Sequence, residues 1–229
     1  MNVCSLQTGP FGINTWIVPL CGNKVLVFDP GACSFTKDSH KITGFLSENN
    51  LNPVAFILTH GHFDHITGTG VLKNAYPEVP LICHEKDCVM IGHNAVSVQM
   101  PALSVMGLEL IVHALENLPD ADITFSCDTT LDKLIKTSDQ QLQKELSFWK
   151  GICTPGHTPG SVCWYNSREK ILMSGDTIFY HSWGRTDLPG GNEGDILKSL
   201  KMINEKIPSD TKVYPGHDYA GFTLQENQF

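Results

Sequence analysis

Over the first thirty residues, short β-forming blocks alternate with Gly and Pro, and the pattern predicts strands at 3–8, 14–19 and 24–29. Residues 36–49 carry Ile42, Phe45 and Leu46 at helical spacing and end on Asn-Asn and a Pro, which predicts a helix and its stop. The run PVAFILT at 53–59 is apolar throughout, as expected of a strand covered on both faces. A helix over 65–75 and a short strand over 81–83 follow. Residues 85–145 show no dominant period and read as a lid or insertion at about that position. Beyond them, strands are predicted at 149–153, 161–165, 170–174 and 212–214. A helix is predicted at 195–206, with Ile196, Leu197, Leu200 and Ile203 on one face. Without repeats or linkers, the chain reads as one domain, 1–229, of the α/β class. Strands precede a helix in each half, which suggests two similar layers meeting face to face.

Composition narrows the function. The chain has 229 residues, 41% hydrophobic and 17% charged, enough for a globular core. A net charge of −8 disfavours a nucleic-acid partner. The basic pairs Lys133/Lys136 and Lys198/Lys201 read as solvated helix faces. No apolar run approaches the ~20 residues that span a bilayer, so no membrane partner is expected. The N-terminus lacks a basic region followed by an apolar one, and a cytoplasmic location is expected. The eight cysteines show no Cys-x-x-Cys spacing and read mostly as reduced apolar fillers.

The chemistry sits where the apolar run ends. LTHGHFDHITG places His60, His62, Asp64 and His65 within six residues, a ligand set for a divalent metal. At this composition the spacing arises by chance about once in a thousand chains. Three later segments each end a strand in a tight turn that presents a His or Asp: TPGHTPG with His157, SGDT with Asp176, and YPGHD with His217. Seven ligands exceed the four of one tetrahedral zinc and suit two metals. The partition that follows puts His60, His62 and His157 on one metal and Asp64, His65 and His217 on the other. Asp176 bridges, one oxygen to each cation. The set suits zinc, and its His and Asp donors also accept iron and manganese.

Together these motifs resemble the metallo-β-lactamase superfamily, in the expected order over nearly the whole chain. The resemblance implies a four-layer αβ/βα sandwich with metals at one edge, and the same ligand partition. β-Lactamases of the common zinc class usually carry Cys where Asp176 stands and lack the second His of the Asp-His pair. The chain therefore looks more like the glyoxalase II (hydroxyacylglutathione hydrolase) branch, and its GRTDLPGG at 184–191 is similar to short bacterial-type members. Two departures stand out. The chain ends soon after His217, without the helical C-terminal domain that supplies part of the glutathione grip in full-length glyoxalase II. Its spacer at 85–145 is also longer than expected.

The function so implied is thioester hydrolysis by a metal-bridging hydroxide, with Asp64 both a ligand and the acceptor of a hydrogen bond from the nucleophile. S-D-lactoylglutathione is the substrate the resemblance suggests. HFDHITGTG and GRTD also resemble the persulfide dioxygenases, which use one iron held by two His and one Asp. A lactonase or other ester hydrolase on the same fold is a further alternative. The sequence does not set the oligomeric state.

More ordinary roles compete elsewhere. His40, His84, His93, His113 and His181 read as surface or capping residues, with His181 also near enough to Asp176 to line a pocket. Arg185 and Asp187 read as a loop-ordering ion pair before substrate contacts. Asp29 reads equally as a turn residue or as an acceptor bracing a ligand His. Tyr180 and Trp183 read as core before pocket, and Phe148, Trp149 and Trp164 as core.

Overall fold

The computed structural model describes residues 2–126 and 128–227; Met1, Cys127, Gln228 and Phe229 lie outside the described residues. The chain forms two compact units, the first running to Thr124 and the second starting at Phe125.

In the first unit, β1 (Cys4–Thr8), β2 (Ile13–Pro19) and β3 (Lys24–Phe28) form an antiparallel meander. Helix α1 (Lys41–Glu48) crosses to β4 (Asn52–Ile57), which runs parallel to β3. Helices α2 (Phe63–Ile66) and α3 (Thr69–Ala75) lead to β5 (Leu81–His84), parallel to β4. The parallel trio therefore puts the residues after β3, β4 and β5 on one sheet edge. Strand β6 (Ile123–Phe125) ends the sheet where the chain passes to its second unit.

Two expectations for this unit shift. The helix expected from 36 starts only at Lys41, because the Asp38 carboxylate accepts from Cys33 N–H (2.8 Å) and Thr36 Oγ1 (2.5 Å) and holds a turn there. The helix expected at 65–75 is two helices. At the break, Gly68 donates to Pro30 O (2.7 Å), and a Cβ on Gly68 would lie 2.7 Å from that oxygen. The stretch 85–145 divides between the units. Helix α4 (Ala95–Val105) and its flanking 3-10 turns place Ile91, Ala95, Leu103, Ile111 and Leu115 in the first core, with Phe56, Leu46 and Leu72.

The second unit opens with β7 (Thr129–Thr130), α5 (Leu131–Leu134) and α6 (Gln140–Ser147). Then come β8 (Trp149–Cys153), β9 (Val162–Asn166) and β10 (Ile171–Gly175), antiparallel in turn. The small hairpin β11 (Ile178–Phe179) and β12 (Ser182–Trp183) precedes α7 (Glu193–Lys206). Strand β13 (Lys212–Pro215) pairs parallel with β10, and β14 (Phe222–Thr223) closes the edge. Strands β8, β10 and β13 thus point the same way and end at one edge.

Trp149 and Trp164 are fully buried as expected. Phe148 is not core: it is half-buried, with the Arg168 guanidinium 4.8 Å above its ring. Leu197 also departs from its expected place, being 47% exposed, because α7 buries Ile196, Ser199, Leu200 and Ile203 and a step of one residue turns Leu197 about 100° away. We expect Ile196→Ala to cost about 2–4 kcal/mol of stability and Leu197→Ala less than about 0.5 kcal/mol in urea unfolding. Equal losses would contradict the helix orientation.

Candidate metal centre

The first unit contributes a loop leaving β4. Its fixed point is Asp29, the residue after β3, buried and in the left-handed conformation at φ 49°. Asp29 N–H donates to Ile57 O (3.0 Å), tying the ends of β3 and β4 together. Its carboxylate accepts from Thr59 N–H (2.7 Å) and Thr59 Oγ1 (2.7 Å), and Oδ2 lies 3.1 Å from His65 Nδ1. The Thr59 hydroxyl hydrogen is committed to Asp29, so Thr59 Oγ1 accepts from His60 Nδ1 at 3.1 Å. That tautomer leaves the lone pair on His60 Nε2, the form a metal requires. Asp29 thus both holds the turn after β3 and lies against His65.

His60, His62, Asp64 and His65 are all buried. The His60 ring lies 4.9 Å from that of His62 and 4.1 Å from that of His65, and His65 Nε2 is 3.8 Å from Asp64 Oδ2. The ligand atoms of Asp29, His60 and His65 fall within 4.8 Å of one another, a group able to hold a metal ion. Gly31 makes the crowding possible: a Cβ there would stand 2.1 Å from Asp64 O.

Two further residues clamp the loop at Gly61, between His60 and His62. Asp87, just past β5, accepts Gly61 N–H at 2.9 Å, and buried Gln99 on α4 donates to Gly61 O at 2.8 Å. A Cβ on Gly61 would meet Met90 Cβ at 2.8 Å, so only Gly fits. The sequence gives no sign of either clamp, since neither Asp87 nor Gln99 stands in a motif.

The second unit contributes three residues at the shared edge of β8, β10 and β13. His157 follows β8, Asp176 follows β10 and His217 follows β13. Gly216 N–H donates to Gly175 O (2.9 Å), which holds the last two turns side by side. Asp176 Oδ2 lies 3.6 Å from His157 Nε2 and 3.6 Å from His217 Nε2. Two donors bound tetrahedrally to zinc at 2.0–2.2 Å sit about 3.4 Å apart, so this oxygen and its two imidazoles are spaced as ligands. His157 Nδ1 donates to the Arg185 carbonyl at 2.8 Å, which sets the tautomer and aims Nε2 at Asp176.

Arg185 and Asp187 form the bidentate pair expected of a loop clamp, both arms at 2.7 Å. The Arg185 hydrogen bonds pull the Asp187 carboxyl down to about 2. The pair therefore stays charged until the pH falls close to that value. Gly184 packs against the same group: its Cβ would stand 1.9 Å from Asp176 O and 2.9 Å from His157 Nδ1.

Among the remaining histidines, His84 departs from the surface expectation. It is buried at the end of β5, and its Nδ1 caps the local turn by accepting from Lys86 N–H at 3.2 Å. His93 and His113 are exposed and meet Asp120 (3.0 Å) and Glu116 (3.1 Å). His40 is exposed at the start of α1, and exposed His181 sits 4.0 Å, ring to ring, from Tyr180. Tyr180 and Trp183, on or beside the short β11–β12 hairpin, are 44% and 41% exposed and are not core.

A family model, that of the metallo-β-lactamase superfamily, matches residues 8–217. The chain belongs to this superfamily. Among its relatives is the hydroxyacylglutathione hydrolase of Prochlorococcus marinus (strain MIT 9211), 30% identical and covering 91% of this chain and 66% of that protein. Among solved structures, the B3 metallo-β-lactamase BLEG-1 is 26% identical with a TM-score of 0.80, over 98% of this chain and 95% of that one. TTHA1623, solved in a di-iron-bound form, is 26% identical with a TM-score of 0.72, over 97% and 96%. The fold is thus the metallo-β-lactamase fold, with mixed sheets, and the superfamily's metal chemistry accords with the His and Asp groups in each unit.

Glycine substitutions separate tight packing at the site from open positions. Gly184→Ala is expected to cost about 1–3 kcal/mol. Gly44→Ala, in α1 with nothing within 4 Å, is expected to gain about 0.5–1 kcal/mol. Thermal unfolding of the metal-free protein reads both, and a neutral Gly184→Ala would contradict the packing of Gly184 on His157 and Asp176.

Proposed function

We propose that the chain is a dinuclear metallo-hydrolase acting on thioesters. The observation that carries this reading is Asp176 Oδ2 standing 3.6 Å from two imidazole nitrogens. A carboxylate facing both histidines would suit Asp176 as the residue shared by two cations. The first metal would be held by His60, His62 and His157, and the second by Asp64, His65 and His217, with Asp176 between them. The superfamily match, residues 8–217, spans all seven of these residues. Similarity to a di-iron-bound protein supports divalent metals; the imidazole-rich donors suit zinc.

When bound, such a pair supplies a hydroxide near neutral pH and a Lewis acid for a carbonyl oxygen. The chain's residues do the rest. Asp64 accepts a hydrogen bond from the attacking water and fixes its direction. Asp29 and the Arg185 carbonyl hold His65 and His157 in place, so the ligand geometry is set before substrate arrives. A thiolate leaves without a strong general acid, which fits a ligand set that includes no additional acid. Likeness to a hydroxyacylglutathione hydrolase supports an acyl-thioester substrate of a small thiol. The net charge of −8 favours a small molecule over nucleic acid.

Two assays, each run on zinc-loaded and on iron-loaded protein, test this: cleavage of S-D-lactoylglutathione followed by ultraviolet absorbance, and oxygen uptake with glutathione persulfide. Thioester cleavage without oxygen uptake is expected, and Asp64→Ala should lower kcat by about 10²–10⁴-fold with the same unfolding temperature for the metal-free proteins. Oxygen uptake without thioester cleavage would point instead to the persulfide dioxygenase branch and overturn the hydrolase reading.

A further inference from the structure

Beyond the proposed centre, the turn that clamps Gly61 carries two cysteines the hydrolytic reading does not use. Cys83 is buried on β5, and Cys88, half-buried, opens the 3-10 turn Cys88–Met90. Both thiols address one acceptor, the His84 carbonyl oxygen, Cys83 Sγ at 3.5 Å and Cys88 Sγ at 3.4 Å. The same oxygen accepts Asp87 N–H at 3.0 Å, and Asp87 in turn accepts Gly61 N–H at 2.9 Å. A chain of contacts thus runs from the two sulfurs to the peptide between His60 and His62.

We propose that Cys83 and Cys88 are a redox-active dithiol, oxidised by hydroperoxides to an intramolecular disulfide that loosens the Asp87 clamp on Gly61. Their environments divide the roles. A hydrogen bond with Cys83 holds the Cys88 thiol below its ordinary range, while the same bond and then burial push Cys83 well up. Cys163, by contrast, sits in the second core, with burial raising it to about 11, and is inert. Cys88, the more exposed and more acidic thiol, is the nucleophile. Its thiolate attacks the outer oxygen of the hydroperoxide, the O–O bond breaks, and the alkoxide leaves with a proton as alcohol (water, for hydrogen peroxide). Cys88 becomes a sulfenic acid. The Cys83 sulfur then attacks the Cys88 sulfur; the S–S bond forms, the S–O bond breaks, and hydroxide leaves as water with the Cys83 proton. Two thiols lose two electrons, and the hydroperoxide gains them.

An S–S bond of about 2.05 Å requires both sulfurs to leave the His84 carbonyl and draws Cys88 toward β5. Asp87, the residue before Cys88, moves with it. The consequence for metal affinity rests on the reading of His60 and His62 as ligands. The disulfide and its effect on Gly61 do not, so they are measured on metal-free protein.

Hydrogen peroxide is the probe. Lys86 lies between the two cysteines, so trypsin after alkylation should yield peptide 74–86 linked to the peptide starting at Asp87, two hydrogens lighter than the separate pair. The link should revert with a phosphine reductant. Amide hydrogen exchange at Gly61 should be at least tenfold faster in the oxidised form. Cys88→Ser should abolish the link and leave Cys83 unreacted. Independent oxidation of the two thiols without a link would overturn the proposal. So would oxidation of Cys83 at its wild-type rate in Cys88→Ser, or a linked protein with unchanged Gly61 exchange.

Discussion

A buried carboxylate loses several kcal/mol of hydration unless the protein returns hydrogen bonds and positive or polar partners, and Asp29 is buried at the junction of two parallel strands. Everything around it in the first unit answers that demand. Thr59 gives its N–H and its hydroxyl, and His65 turns Nδ1 toward it. Meeting the demand places the ligand residues: Thr59 orients His60, and the α2 turn carries Asp64 and His65 beside it. The carboxylate therefore fixes the loop that carries these histidines. The backbone of that turn is equally engaged, with Thr15 Oγ1 donating to Asp29 O at 2.6 Å and Thr67 Oγ1 to Gly31 O at 2.7 Å.

The second unit reaches a similar result with backbone in place of a carboxylate. The Arg185 carbonyl holds His157, and parallel pairing of β10 with β13 sets the turns of Asp176 and His217 side by side. In both units the ligands stand where parallel-running strands end, and small residues let them approach. Gly31, Gly61 and Gly184 each occupy a place where a Cβ would strike a ligand residue, a clamp residue or their close neighbours. Stability and chemistry are coupled there: the packing that closes each core edge also fixes donor spacing.

The strands and the ligand motifs were legible because each depends on local pattern. Residues 149–153 and 24–28 alternate or run apolar between Gly and Pro, and HGHFDH needs no partner to be noticed. Helix limits read less well. Asp38 overrode the start of α1 through a side-chain turn, and the fit of Gly68 against Pro30 split the next helix; neither contact is local enough for periodicity to register. Leu197 was misplaced because five apolar residues in eight admit more than one face, and only the core of the second unit chose between them. The clamps at Gly61 were not legible at all. Asp87 and Gln99 lie 26 and 38 residues away from it, in the stretch where no period dominates, and only the folded chain brings them to one peptide.

The central claim is that the proposed His and Asp ligands hold a pair of cations. Anomalous diffraction from crystals grown with zinc tests it most directly. Two peaks about 3.5–4 Å apart are expected, one against His60, His62 and His157 and the other against Asp64, His65 and His217, with Asp176 between them. A lone peak, or peaks away from these residues, would contradict it.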